Sequence, residues 1–134
     1  MFAAAHAQLR KIPSEVTELM TEKYPDAAQV EWKDKLVNFE ASFEMKGETF
    51  KAVFNNKGEW VQTEKNISED ALPDDVLDGL EKSKYSDLKI LETSRIEKND
   101  GKIQYRILSK KNDIQKKYLY FNANGKLVKE LITL

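Results

Sequence analysis

The stretch that decides the fold is VNFEASFEM, residues 37–45. Its odd positions are apolar and its even positions polar, a period of two that places the two kinds of side chain on opposite faces of a β-strand. Phe50, Ala52 and Phe54 continue the pattern after a short turn. Residues 37–54 therefore predict an antiparallel hairpin with one apolar face and one polar face.

Four landmarks of the first half of the chain recur in the same order in the second half. The matching segments are 12–16 with 72–76, 24–26 with 85–87, 37–41 with 103–107, and 54–61 with 121–128. The offset grows from 60 to 67 residues, as expected if hairpin loops of the second half carry small insertions. Recurrence in this order predicts a tandem duplication, with one repeat at residues 12–71 and the other at residues 72–134.

Each repeat is predicted to begin with a helix. Pro13 and Pro73 suit the first helical turn, where a missing N–H leaves no hydrogen bond unmade. Apolar residues then follow at spacings of three and four, which predicts one apolar stripe along each helix. These residues are Val16, Leu19, Met20 and Tyr24 in the first repeat and Val76, Leu77 and Leu80 in the second.

The predicted fold class is α+β, a tandem duplication of a helix followed by a four-stranded antiparallel meander. The helices are expected on one face of the sheet, because its apolar face needs cover, and the opposite face is expected to stay open to water. Asn55–Gly58 and Asn122–Gly125 fit hairpin turns that end in a left-handed glycine, and the second turn places Phe121 opposite Leu127. By parity, the core aromatic residues are Phe39, Phe43, Phe54, Trp60, Tyr105 and Phe121.

Residues 1–11 are expected to lie outside the fold. Ala5-His6-Ala7 before Gln8 has the small-x-small form of a signal-peptidase cleavage site. The segment is either the remnant of a secretory leader or a set of residues added in cloning. We favour the leader, which predicts a periplasmic or secreted protein.

Composition bounds the class of protein. The 134 residues fit one compact domain of two repeats, and 40% hydrophobic with 34% charged residues is typical of a folded chain. No window approaches the roughly 18 consecutive apolar residues of a membrane span, so no membrane insertion is predicted. The absence of cysteine excludes disulfides, thiolate metal sites and cysteine nucleophiles.

The net charge of −1 conceals a local basic excess. Residues 102–129 carry eight Lys or Arg and a single acid, a net charge of +7. Lysine supplies 19 of the 22 cationic side chains, whereas bidentate contacts to guanine and phosphate use the arginine fork. We therefore expect no nucleic-acid partner, and we expect any protein or peptide partner to be anionic.

Few residues offer catalytic chemistry. His6, the only histidine, falls in the segment expected outside the fold, so neither a histidine general base nor a histidine metal site is predicted. Asp74 and Asp75 are expected in the first turn of the second helix, where carboxylates complement the helix dipole. No phosphate-binding glycine loop occurs. No catalytic residue, metal site or cofactor is predicted.

Two tyrosines differ from the core aromatic residues. Tyr118 and Tyr120 have the parity opposite to the core, so they are expected on the open face with Lys116, beside Arg106 and Leu108 of the neighbouring strand. Tyrosine and arginine are enriched at interface hot spots, but tyrosines can also shelter lysine stems on a solvated sheet, and both interpretations stay open. The candidate binding residues are Tyr118, Tyr120, Lys116, Arg106, Leu108 and, in the first repeat, Lys51.

The order of motifs resembles the PepSY-like family of exported Bacteroidetes proteins. The motifs are apolar-Pro-x-x-Val at 12–16 and 72–76, Tyr-Pro-x-Ala at 24–27, Val-x-Trp at 30–32, Ala-x-Phe-x-x-x-Gly-x-Trp at 52–60 and Phe-Asn-x-x-Gly-Lys-Leu-Val at 121–128. The second half departs at Ser86 and Leu127, where the first half has Pro25 and Trp60. The resemblance spans residues 12–132 and implies an α+β fold like that of the β-lactamase-inhibitor protein, a periplasmic setting and no catalytic residues.

The predicted function is a non-enzymatic, exported binding module that holds a protein or peptide on its open sheet face. Inhibition of a peptidase or β-lactamase would follow from the likeness of fold alone. The alternative is an enzyme or small-ligand carrier with a pocket between sheet and helices that is lined by two or more carboxylates. The sequence leaves the oligomeric state and the identity of the partner undetermined.

Overall fold

The computed structural model describes residues 11–133. Its elements are α1 (Ser14–Lys23), β1 (Ala28–Asp34), β2 (Asn38–Met45), β3 (Glu48–Asn55), β4 (Trp60–Ile67), a 3-10 turn (Glu69–Ala71), α2 (Asp74–Lys82), β5 (Lys89–Lys98), β6 (Ile103–Lys110), β7 (Lys116–Asn122) and β8 (Leu127–Thr133). Residues 1–10 of the predicted leader, with His6, lie outside the described residues. The chain divides between Thr63 and Glu64 into two compact units.

The strands form one sheet of eight in the order β1 to β8. The predicted fold class, a duplicated helix with a four-stranded meander, is therefore wrong: a single eight-stranded antiparallel sheet accompanies the two helices. The physical reason lies in the sheet edges. Two separate meanders would leave two more edge strands with unpaired N–H and C=O groups, which one continuous sheet avoids.

The face opposite the helix-covered core is also drier than expected. In the second unit Ser94, Ile96 and Leu108 lie on that face, yet they are only 1%, 2% and 8% exposed. The Arg106 side chain lies over Ser94, with Nη2 3.4 Å from its Oγ. Long side chains thus cover this part of the sheet, and the prediction of a face left wholly in water is wrong.

In the first unit α1 covers the apolar face of β2 and β3. The β2–β3 register places an alanine pair between two phenylalanine pairs: Phe39 with Phe54, Ala41 with Ala52, and Phe43 with Phe50. Val16 and Met20 of α1 are buried in the same cluster, and the small alanines leave room for the helix. The expected core positions of Phe39, Phe43 and Phe54 are confirmed.

Trp60 packs at the margin of this core and is only partly buried. Its Nε1 donates a hydrogen bond to Thr63 Oγ1 at 2.9 Å, and Lys23 Nζ lies 3.8 Å from the ring centroid. An indole N–H needs a polar partner, so a marginal position satisfies Trp60 better than a fully buried one. The predicted core position is confirmed only in part.

In the second unit α2 covers β6 and β7. The buried residues of this core are Leu72, Val76, Leu80, Tyr85, Tyr105, Ile107, Leu119 and Phe121. Here the helix and the β7–β8 turn approach to backbone contact, because a Cβ at Gly79 would overlap the carbonyl oxygen of Gly125 and one at Gly125 would overlap that of Asp75. This packing therefore requires glycine at both positions.

The two predicted hairpin turns are present. Gly58 and Gly125 have φ of +81° and +87°, and each N–H donates to the carbonyl of the asparagine three residues earlier, at 3.0 Å. The side chain of that asparagine, Asn55 or Asn122, also accepts two backbone N–H groups of its turn. The Asn-x-x-Gly spacing therefore specifies the turn locally, and the prediction is confirmed.

Both prolines stand immediately before their helices and not within the first turn. The Pro13 carbonyl accepts the N–H groups of Val16 and Thr17, and Pro73 does the same at the start of α2. Proline suits this position because it has no N–H and its φ of about −65° is already set.

We expect Gly79→Ala to destabilise the protein. In an ordinary helix this substitution stabilises by about 0.5–1 kcal/mol, whereas here the added Cβ overlaps Gly125, and overpacking costs on the order of 1–3 kcal/mol. Urea unfolding measures the difference, with Glu81→Ala on the exposed side of the same helix as the control. A Gly79→Ala variant more stable than the wild type would contradict the close approach.

Candidate binding surface

Tyr118 and Tyr120 lie on β7 between two strands that contribute to the same face. On β6 they pair with Leu108 and Arg106, and on β8 they pair with Leu131 and Lys129. Side chains directly opposite each other in an antiparallel pair share a face. We call the set Arg106, Leu108, Tyr118, Tyr120, Lys129 and Leu131 the tyrosine surface.

Cations hold both tyrosine rings in place. Arg106 Cζ lies 4.9 Å from the Tyr118 ring centroid, and Lys129 Nζ lies 5.0 Å from that of Tyr120. Both rings are half-buried, with Leu108 buried and Leu131 exposed beside them. Cation–π contacts of this kind restrict the rings to one orientation, so the surface is ordered before any partner arrives.

Arg106 is already neutralised within the second unit. Its Nη2 lies 2.5 Å from Glu64 Oε2 on β4, and the two side chains are only 19% and 11% exposed. Burial lowers the pKa of Arg106, but the hydrogen bond and the attraction of the Glu64 carboxylate outweigh it, so the pKa lies above its ordinary value. Arg106 therefore positions Tyr118 and offers no free charge to a partner.

The structure brings four of the six candidate residues together: Tyr118, Tyr120, Arg106 and Leu108. Lys116 pairs with Lys110 at the start of β7 and lines a cavity. Lys51 belongs to the first unit, where it is half-buried opposite Ser42.

Sequence reasoning missed Glu64 and Lys129. Glu64 lies 42 residues from Arg106 along the chain, and no local pattern connects them. Phe121 does pair with Leu127 as predicted, but the register shifts between Tyr120 and Phe121. That irregularity places Lys129 opposite Tyr120, where an unbroken register would have placed Val128.

A cavity of about 580 Å³ lies in the second unit, just after α2. We call it the lysine cavity, because its lining includes Lys84, Lys111, Lys116 and Lys117 with one carboxylate, Asp87, and the apolar residues Leu88 and Ile132. The alternative function, an enzyme or small-ligand carrier, required a pocket lined by two or more carboxylates. The lining of this cavity instead has more positive than negative charge. Within residues 11–133, no group of three or more His, Cys, Asp or Glu side chains is placed to hold a metal ion.

Two lining residues of the lysine cavity, Tyr85 and Lys117, form a hydrogen-bonded cluster with Glu130. Tyr85 donates its hydroxyl to Glu130, and Lys117 Nζ donates to Tyr85 Oη at 3.0 Å and to Glu130 Oε1 at 3.2 Å. The hydrogen bonds from Tyr85 and Lys117 hold the pKa of Glu130 below its ordinary value. Those to Tyr85 and Glu130 raise the pKa of Lys117.

Comparison with known proteins gives a family and a fold. A family model described as "Putative beta-lactamase-inhibitor-like, PepSY-like" matches residues 37–129. No protein with a curated description matches. In the part of the chain that the structure describes, no helix is long and apolar enough to cross a membrane.

Solved structures from Bacteroides share the fold. A DUF2874 family protein of Bacteroides ovatus ATCC 8483 is 25% identical, with a TM-score of 0.84 over 92% of this chain and 89% of that one. A protein of Bacteroides fragilis NCTC 9343 described as BLIP-like is 21% identical, with a TM-score of 0.83 over 96% and 92%. A third protein, from Bacteroides eggerthii DSM 20697, is described as one of the "putative periplasmic proteins". It is 22% identical, with a TM-score of 0.83 over 92% of this chain and 90% of that one.

We expect Glu64→Gln to destabilise the protein by on the order of 3 kcal/mol, because it leaves the buried Arg106 guanidinium without its counter-charge. The double variant Glu64→Leu, Arg106→Met should recover most of that loss, since it removes both charges together. Chemical unfolding measures both variants. The control is Lys82→Ala, which breaks the exposed pair with Asp78 and should change nothing measurable. Equal stability of Glu64→Gln and wild type would show that the pair is solvated.

The Glu130 cluster predicts a pH dependence of stability. The folded pKa of Glu130 is depressed, so its contribution is present above the unfolded pKa and is lost as the pH falls through the folded value. Thermal unfolding from about pH 6 to about pH 3 should therefore show a steeper loss for wild type than for Glu130→Gln. Glu22→Gln on the exposed side of α1 is the control. Parallel curves for wild type and Glu130→Gln would contradict the cluster.

Proposed function

The chain belongs to the PepSY-like family, and we propose that it is a non-enzymatic binding module that holds a protein or peptide on its tyrosine surface. A periplasmic or secreted location, which the family implies, agrees with the description of the Bacteroides eggerthii neighbour as periplasmic. The family description and the BLIP-like neighbour support a binding role of the inhibitor type.

The observation that carries the proposal is the position of Tyr118 and Tyr120. Both rings stand outside the helix-covered core, half-exposed and held by cations. Aromatic side chains with few rotors to freeze, on a rigid sheet, are the residues that dominate binding energy at protein interfaces. Leu108 and Leu131, which flank Tyr118 on the two neighbouring strands, provide apolar surroundings of the kind that exclude water from a hot spot.

The charge around the tyrosine surface favours an anionic partner. Glu64 cancels Arg106, so the attraction comes from Lys129 within the surface and from the lysines of residues 102–129 around it. Such charges raise the association rate and make it depend on salt, whereas the buried aromatic residues set the lifetime of the complex. Lys116 is proposed as an outlying contact of the same partner, and Lys51 is proposed as a binding residue of the first unit.

The lysine-rich lining of the cavity favours this proposal over the alternative of an enzyme. General acid–base chemistry by paired carboxylates needs two of them at one site, and the cavity after α2 has only Asp87 among its lining residues. The lysine cavity is consistent with a small-ligand site, which is a separate property from the tyrosine surface.

The proposal is tested with the double variant Tyr118→Ala, Tyr120→Ala. Wild-type protein is used to recover a partner from periplasmic extract of a Bacteroides species, and the purified partner is then measured by surface plasmon resonance. The double variant should speed dissociation about 30-fold or more, the equivalent of about 2 kcal/mol for a hot spot, with an unchanged unfolding midpoint. Where the partner is a hydrolase, its activity with and without the chain shows whether binding inhibits.

The matched control is Thr49→Ala, an exposed position on the same sheet in the first unit. It should leave the dissociation rate unchanged. If the double tyrosine variant dissociates at the wild-type rate, the tyrosine surface is not the binding site. If it unfolds, Tyr118→Phe with Tyr120→Phe retains the rings and separates folding from binding.

A further inference from the structure

The lysine cavity has an excess of positive charge that the protein neutralises only in part. Its lining residues include four lysines and one acidic residue, Asp87. Lys117 is engaged by Tyr85 and Glu130, and Asp113 attracts Lys116, but among residues 11–133 Lys111 and Lys116 form no salt bridge. Like charges gathered in one concave site repel each other, so an anion that enters would relieve that repulsion.

The same cavity exposes an apolar wall. Ile132 is 72% exposed, and Leu88 is partly buried beside it. A ligand group that covered Ile132 would remove apolar surface from water, which is favourable. A ligand that satisfies both walls must carry an apolar group next to its negative charge.

The chemistry of the lining favours a single carboxylate over a phosphate. The cavity begins at Lys84, directly after the C-cap Ser83 of α2, so the nearby helix end carries the negative pole of its dipole. Phosphate sites typically use a helix N-terminus, a nest of backbone N–H groups or arginine forks. A doubly charged phosphate would be repelled by the negative end of the helix dipole. A monoanion between the lysines has half that charge, so the repulsion costs half as much.

We infer that the lysine cavity binds a small carboxylate that bears an apolar group, with the carboxylate between Lys111 and Lys116 and the apolar group on Ile132 and Leu88. The volume of about 580 Å³ lies in the range of small-molecule sites. Two sources share this chemistry, the apolar C-terminal residue of a peptide and a medium-chain fatty acid. The site contains no residue of the tyrosine surface and shares with its partner only the outlying contact Lys116.

The test is a titration followed by ¹H–¹⁵N NMR spectra of the full chain. N-acetyl-L-leucine represents a peptide C-terminus and octanoate represents a fatty acid. We expect saturable shifts of the Ser109 and Ile132 amides with a Kd on the order of 1 mM. Three control compounds should bind more weakly than the two acids. N-acetyl-L-leucinamide lacks the carboxylate, acetate lacks the apolar group, and inorganic phosphate lacks both features.

Binding of N-acetyl-L-leucine alone assigns the site to peptide termini, and binding of octanoate alone assigns it to fatty acids. The double variant Lys111→Gln, Lys116→Gln should weaken binding of the acid about tenfold. The control double variant Lys102→Gln, Lys126→Gln, at turns on the opposite end of β6 and β7, should leave binding unchanged. The inference is overturned if neither acid binds, if the amide or phosphate binds as tightly, or if the two double variants behave alike. The Tyr118→Ala, Tyr120→Ala variant should still bind the acid. This result distinguishes a failure of the cavity site from a failure of the proposed partner binding on the tyrosine surface.

Discussion

In each unit the fold depends on burying one face of the antiparallel strands beneath a short helix. Helices of ten and nine residues are too short to persist alone in water, so α1 and α2 exist because their apolar stripes find the sheet. Each helix buries two aliphatic residues four positions apart, Val16 with Met20 and Val76 with Leu80. The alanine pair under α1 and the glycine contact under α2 show two ways of bringing a helix close to a sheet.

That constraint also determines where function can reside. Once β6 and β7 commit Tyr105, Ile107, Leu119 and Phe121 to the core, the alternate residues must face the other way. Tyr118 and Tyr120 are therefore placed outside the core by the same pleat that buries their neighbours. The ion pair of Arg106 and Glu64 then covers part of this face and keeps Ser94 and Leu108 from water.

The lysine cavity arises where the cover of the helix ends. α2 stops at Lys82, while the β6–β7 hairpin continues beyond the core to residues 111–115. Residues near the end of the sheet on the helix-facing parity, such as Lys117 and Ile132, therefore lack a helix above them. The tyrosine surface and the cavity have different origins, since one follows from strand parity and the other from the short length of α2.

Local patterns in the sequence determined the strands, the helices and the side of each strand that is buried. Alternation along residues 37–45 and the Asn-x-x-Gly turns act between near neighbours, so they need no knowledge of the rest of the chain. The tertiary structure alone decided that eight strands join one sheet, that the register shifts beside Tyr120, that Glu64 meets Arg106 and that Lys116 lines a cavity. Each of these is a contact between segments far apart in the chain or a local irregularity of pairing. The energy of such a contact depends on which residues the folded backbone brings together. The periodicity of the sequence therefore does not predict it.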